Sequence, residues 1–119
     1  MSLFVYGIPT CNSCKKAQKW LDQQGVSYTW VNTRENPPSR AEIDTWINNI
    51  GSKPMKNTSG GSYRALGEEK KTWSDTQWAK AFSNDPMLLK RPLFTREGRA
   101  LCTGFRGSDE EIKKKLEIT

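Results

Sequence analysis

The sequence predicts an α/β fold: a mixed four-stranded sheet that opens with a parallel βαβ unit, closes on an antiparallel hairpin, and carries a helical insertion and a C-terminal helix. Three observations carry this expectation. An apolar run, an amphipathic stretch and a β-branched run follow one another near the N-terminus. Two short β-prone segments flank Arg96-Glu97-Gly98. Three Ser-x-x-Glu/Gln boxes stand ahead of helix-period apolar stripes.

Residues 2–6 (Ser-Leu-Phe-Val-Tyr) are bounded by Gly7 and Pro9 and suit a buried strand. From Cys11 the period changes: Cys14, Ala17 and Leu21 recur at helical spacing, Lys15, Lys16, Lys19 and Asp22 lie largely elsewhere on the wheel, and Gly25 supplies a stop. Cys11 therefore opens a helix. Residues 26–31 (Val-Ser-Tyr-Thr-Trp-Val) alternate with high β propensity and read as a second strand, parallel to the first through a right-handed crossover.

Asn36-Pro37-Pro38 interrupts the pattern. Ser39 with Glu42 caps a helix whose Ile43, Trp46, Ile47 and Ile50 form an i, i+3, i+4, i+7 stripe. Residues 51–61 are rich in glycine and serine and read as a loop, with one helical turn expected over 62–66. Ser74 and Gln77 cap a further helix carrying Trp78, Ala81 and Phe82, which ends near Asn84-Asp85-Pro86 ahead of a short turn at 87–90. Residues 92–95 and 99–103 are the hairpin strands, and Ser108 with Glu111 caps a last helix carrying Ile112 and Leu116. Parallel strands first and an antiparallel hairpin last is the order of a thioredoxin-like fold. At 119 residues, without an internal repeat or linker, the chain reads as one domain over 1–119, with the insertion at roughly 38–88.

Composition narrows the chemistry. There is no histidine, which removes imidazole bases, Ser-His and Cys-His pairs, and His-ligated zinc. Three cysteines remain, two of them in Cys11-Asn-Ser-Cys14. No signal peptide or membrane span is read, so a cytoplasmic, reducing setting is expected, where a close cysteine pair is catalytic or metal-binding more often than a staple. A structural zinc site needs four ligands, and Cys102 is the only further thiol, so no metal is expected. The bland alternative is an idle Cys11 beside a buried, helix-facing Cys14.

A thiol attacks only as its thiolate, and the first turn of a helix stabilises that anion through free N–H groups and the positive dipole end. Cys11 sits there, with Lys15 and Lys16 close in sequence. Cys14, three residues on, is placed to attack a mixed disulfide at Cys11 and release a reduced product. Cys102, between Leu101 and Thr103, reads as a half-buried strand residue. The net charge of +6 is interleaved with acids, so a solvated charged surface is expected and direct nucleic-acid binding is not.

Several segments in order resemble the arsenate reductase (ArsC)/Spx/YffB family of thioredoxin-like proteins: Val5-Tyr6-Gly7-Ile8 before Cys11, Lys15-Lys16-Ala17 with Trp20-Leu21, Asn57-Thr58 to Leu66, Leu89-Lys90-Arg91-Pro92-Leu93, and Thr103-Gly104-Phe105 before a last helix. The resemblance implies a glutaredoxin-like core with Cys11 as catalytic thiol and Arg91, before a cis proline at Pro92, facing it. It implies thiol–disulfide chemistry linked to glutathione, glutaredoxin or thioredoxin, with no bound cofactor, and a small thiol or oxyanion substrate. Thr10, Asn12, Lys15, Arg91 and Pro92 are then the substrate contacts. The Spx branch implies an alternative: a redox-switched, monomeric regulator that binds the C-terminal domain of the RNA polymerase alpha subunit. Arsenate reductases of the family hold oxyanion with three arginines. Here Ser59 and Thr103 stand at or near two of those places, while Arg64 and Arg106 fall off the motif, so weak arsenate reduction is expected.

Overall fold

The structure is a computed structural model and describes residues 2–118. Strand β1 (Leu3–Gly7) is followed by helix α1 (Asn12–Gln23), strand β2 (Thr29–Asn32) and helix α2 (Arg40–Ile50). A 3-10 turn at Lys53–Met55, the short helix α3 (Gly61–Arg64), a second 3-10 turn at Glu68–Thr72, helix α4 (Asp75–Asn84) and a third turn at Pro86–Leu88 complete the insertion. Strands β3 (Leu93–Arg96) and β4 (Arg99–Thr103) and helix α5 (Asp109–Lys115) close the chain.

The four strands form one sheet in the order β2-β1-β3-β4, with β1 parallel to β2 and antiparallel to β3, and β3 antiparallel to β4. This is the mixed α/β sheet of the thioredoxin-like class that the order of elements predicts. Pleating sends alternate residues to opposite layers. Leu3, Val5 and Phe94 pack with Ala17, Trp20 and Leu21 of α1 and with Ile112 and Leu116, while Leu93 and Ala100 pack with Ile43, Trp46, Trp78 and Phe82 of the insertion.

All three capping boxes form: Ser39 Oγ accepts from Glu42 N at 3.1 Å, Ser74 Oγ from Gln77 N at 3.3 Å and Ser108 Oγ from Glu111 N at 3.2 Å. The hairpin turns on Glu97 and Gly98, at φ 53° and 78°, the left-handed pair a two-residue turn of matching twist needs. Arg96, expected in that turn, stays in β3 opposite Arg99.

Two segments differ from the sequence reading. Strand β2 begins at Thr29, not Val26, because Val26 N–H donates to Leu21 O (3.0 Å) and Gly25 N–H to Asp22 O (3.1 Å). These bonds close α1 in a Schellman motif with Gly25 at φ 69°, so Val26 ends the helix instead of starting the strand. The glycine- and serine-rich stretch is also more ordered than a simple loop. Met55 is fully buried, Lys90 N–H donates to Met55 O and Asn57 N–H to Leu88 O (2.8 Å each), and Lys56 bridges Leu89. The insertion is thus clipped to the strand approach that carries Arg91.

Candidate active site

Gly7 ends β1, its carbonyl accepting from Thr33 N–H at 2.9 Å. Ile8 is buried, and the exposed Pro9 and Thr10 turn the chain so that Cys11 N–H donates to Ile8 O at 3.2 Å. Cys11 is the N-cap of α1, with extended backbone (φ −81°, ψ 120°). No acidic residue stands in the first turn of α1, whereas α2, α4 and α5 carry Glu42, Asp75 and Asp109 to Glu111 there. Among the four longer helices, α1 alone leaves its positive end to the sulfur.

The two thiols are in different environments. Cys11 is half-buried and Cys14 fully buried; both are reduced. Burial alone would raise the Cys11 thiol, yet it lies below its ordinary value of 9.0. Burial is the largest single influence, but the hydrogen bond from the Cys14 thiol, the Cys14 N–H, the Arg91 guanidinium and the Ser13 N–H together outweigh it. Cys14 is pushed the other way, up to about 12, first by burial and then by donating to Cys11. One sulfur is the acceptor and the other keeps its proton, which is the division of labour that attack and later resolution require.

Arg91 precedes Pro92 across a cis peptide bond. Its Nη1 donates to the carbonyls of Met87 (3.3 Å) and Leu89 (3.2 Å), and its Nε is buried with no acceptor among the described residues. The guanidinium is therefore anchored by its own chain, with its charge directed at Cys11. Pro92 is buried, while Thr10, Asn12, Lys15 and Lys16 are exposed around the N-terminus of α1. The ion pairs among the described residues are Arg40–Asp44, Lys71–Glu68 and Arg99–Glu117, so these lysines stay unpaired.

Cys102 lies apart, on the edge strand β4 opposite Phe94. Burial pushes its thiol up to about 11 against the pull of Lys115, which leaves it a poor nucleophile at neutral pH. Among the described residues no three His, Cys, Asp or Glu side chains group as a metal site. No described helix is long and apolar enough to cross a membrane.

Gly7 is the site residue that the sequence reading did not single out. A Cβ built there would collide with Cys14 Sγ and lie 2.9 Å from Trp30 Cη2. A glycine closing a strand can mark such an approach, though nothing local says what approaches.

The ArsC family profile matches residues 6–114, nearly the whole chain. The chain belongs to the ArsC family. Protein YusI of Bacillus subtilis is 36% identical to this ArsC-family chain over 110 residues, covering 89% of the chain and 92% of the relative. Global transcriptional regulator Spx 2 of Lactococcus lactis is 29% identical over 117 residues, covering 97% and 86%. Among solved structures, a possible arsenate reductase from Streptococcus mutans superposes with a TM-score of 0.83 at 36% identity, over 93% of the chain and 97% of its own. ArsC members thus include both an arsenate reductase-like branch and Spx regulators, and this chain carries the thiol redox fold common to them with its two cysteines adjacent.

Proposed function

We propose that this ArsC-family protein is a thiol–disulfide oxidoreductase in which Cys11 attacks and Cys14 resolves. The observation that carries the reading is the opposite displacement of the two thiols, Cys11 lowered and Cys14 raised, across one hydrogen bond at a helix N-terminus. The Cys11 thiolate attacks one sulfur of a substrate disulfide, forming a mixed disulfide and expelling the other half as a thiolate. Once Cys11 Sγ is bonded, Cys14 loses its acceptor and releases its proton to solvent or to the departing thiolate. Its sulfur then attacks Cys11 Sγ, closing a Cys11–Cys14 disulfide and freeing the second thiol. Two electrons from glutathione, glutaredoxin or thioredoxin restore the dithiol.

Disulfide substrates fit better than oxyanions. Thr103 Oγ1 donates to Pro54 O and Arg64 Nη1 to Ser59 O, so the residues at and near two arginine places of the arsenate-binding pattern tie down their own loops. Each lost charge-assisted pair removes about 1.5–3 kcal/mol of anion binding. Cys14→Ser is expected to stall after the first step and accumulate a Cys11 mixed disulfide, visible as a mass adduct of half the substrate. Wild-type protein should instead lose the mass of two hydrogen atoms as its internal disulfide forms. A Cys14→Ser protein that turns over at the wild-type rate with no adduct would remove Cys14 from the mechanism.

The Spx relatives favour a second reading, in which the same disulfide switches a contact with the C-terminal domain of the RNA polymerase alpha subunit. Binding to that domain should then differ between oxidised and reduced protein in a pull-down. Equal binding, or none in either state, rejects the switch.

A further inference from the structure

We propose that Trp30 is a positioning residue for Cys14: its indole closes the side of the Cys14 sulfur that the missing side chain at Gly7 leaves open, and so keeps that thiol out of water until Cys11 carries a disulfide. The inference rests on Cys14 acting as the resolving thiol. In the parallel pairing of β1 and β2, Val5 faces Trp30 and Gly7 faces Asn32, so Trp30 and Gly7 are diagonal neighbours. Trp30 packs on the layer formed by Val5, Ala17 and Leu21, the layer that α1 covers. A side chain of this size reaches along the diagonal only when the residue there is small, and Gly7 provides the gap.

That gap is filled from two directions. Cys14 Sγ enters it from α1, while Trp30 Cη2 and Cζ3 lie 2.9 and 3.2 Å from where a Gly7 Cβ would stand. Trp30 also lines a surface groove with Gln18, Asp22, Gly25 and Tyr28. Trp30 is thus the wall between that groove and the Cys14 sulfur. Cys14 has no exposed surface although its partner Cys11 is half-open, and burial is the leading reason its thiol is raised. A dry, protonated Cys14 has two effects on the proposed cycle. It keeps donating to Cys11, which holds the attacking thiolate, and it denies alkylating or oxidising agents a second nucleophile.

The test reads Cys14 alone, in a Cys11→Ser background, by iodoacetamide labelling followed by peptide mass mapping from neutral to alkaline pH. Adding Trp30→Ala should speed Cys14 labelling about tenfold at neutral pH and move its pH midpoint down by roughly one unit, since a unit of thiol pKa is tenfold in thiolate. Trp30→Phe, which refills the gap with an aromatic ring, should stay within about twofold of the background. Cys102 is the internal control because it packs against the same apolar layer. Unchanged Cys14 labelling in a folded Trp30→Ala protein overturns the proposal, and so does equal acceleration at Cys102, which would mean general loosening. Should Trp30→Ala fail to fold, Trp30→Leu gives the same reading: faster Cys14 labelling supports the wall, and the background rate overturns it. Without Cys11 in the assay, the result is independent of the adduct experiment that tests Cys14 as resolving thiol.

Discussion

Cys11→Ser should reduce disulfide turnover to the uncatalysed background, a fall of at least roughly 1,000-fold or about 4 kcal/mol of barrier, measured as thiol release from a glutathione-mixed disulfide. No other described group replaces it. Cys14 is raised to about 12 and has no exposed surface, Cys102 is raised to about 11, and the chain has no histidine to activate an alternative nucleophile. The pH dependence carries the same argument. Because the Cys11 thiol lies below 9.0, the wild-type rate should climb with pH through a midpoint on the acid side of that value. The sign follows from the thiolate being the reactive form: a lowered thiol pKa moves the rising limb toward acid. Arg91→Ala should move the limb back toward alkali, by less than the loss of the Cys14 hydrogen bond, since Cys14 acts on Cys11 more strongly than Arg91 does. A Cys11→Ser protein with retained turnover, or a wild-type profile with its midpoint at or above pH 9.0, would contradict the assignment.

Local features of the chain were legible wherever local chemistry decides them. The capping boxes at Ser39, Ser74 and Ser108 formed because a hydroxyl and a carboxylate or amide three residues apart satisfy each other's backbone donors in almost any context. Cys11 at a helix start is legible for the same reason, since the apolar period begins there and the strand before it ends in Gly7. β2 starts later than propensity alone indicates because the β propensity of Val26 competes with a helix-ending bond five residues back, the Schellman closure onto Leu21. Propensity counts only the first of these.

What stayed hidden is what depends on two distant segments meeting. Arg91 stands out as a basic residue before a proline, yet its anchoring by the Met87 and Leu89 carbonyls depends on the turn at Pro86–Leu88. The contact of Gly7 with Cys14 and Trp30 depends on the register of β1 with β2 and on the rotation of α1 over them. A one-residue slip of β2 would turn Trp30 to the opposite face and leave Cys14 Sγ without its indole neighbour at the Gly7 gap. The residue types gathered at the candidate site are thus readable in the sequence, while the residues that hold them are not.

Trp78→Ala is expected to cost about 2–4 kcal/mol and a fall in Tm of roughly 10 °C, read by urea and thermal unfolding. Trp78 is 1% exposed and forms the centre of an aromatic cluster: stacked on Tyr63 at 6.1 Å, edge-on to Trp73 at 5.0 Å and tilted on Phe82 at 5.6 Å, with Lys56 Nζ 4.4 Å from its ring centre. Truncating a tryptophan so placed would ordinarily cost about 3–5 kcal/mol. The expected value is lower because Trp78 Nε1 is buried with no acceptor among the described residues, and removing an orphaned donor returns part of its desolvation cost. Trp78→Phe, which deletes the donor and keeps most of the ring, should therefore fall within about 1 kcal/mol of wild type. The loss should also reach the redox site. Lys56 covers Trp78 and bridges Leu89, and Leu88, Leu89 and Leu93, which bracket Arg91, belong to the same buried cluster. If that cluster holds the guanidinium toward Cys11, the folded Trp78→Ala protein will show the Cys11 alkylation profile displaced toward alkaline pH, while Trp78→Phe keeps the wild-type profile. An unchanged profile in both would mean that the anchoring of Arg91 by the Met87 and Leu89 carbonyls is sufficient without the aromatic cluster behind it.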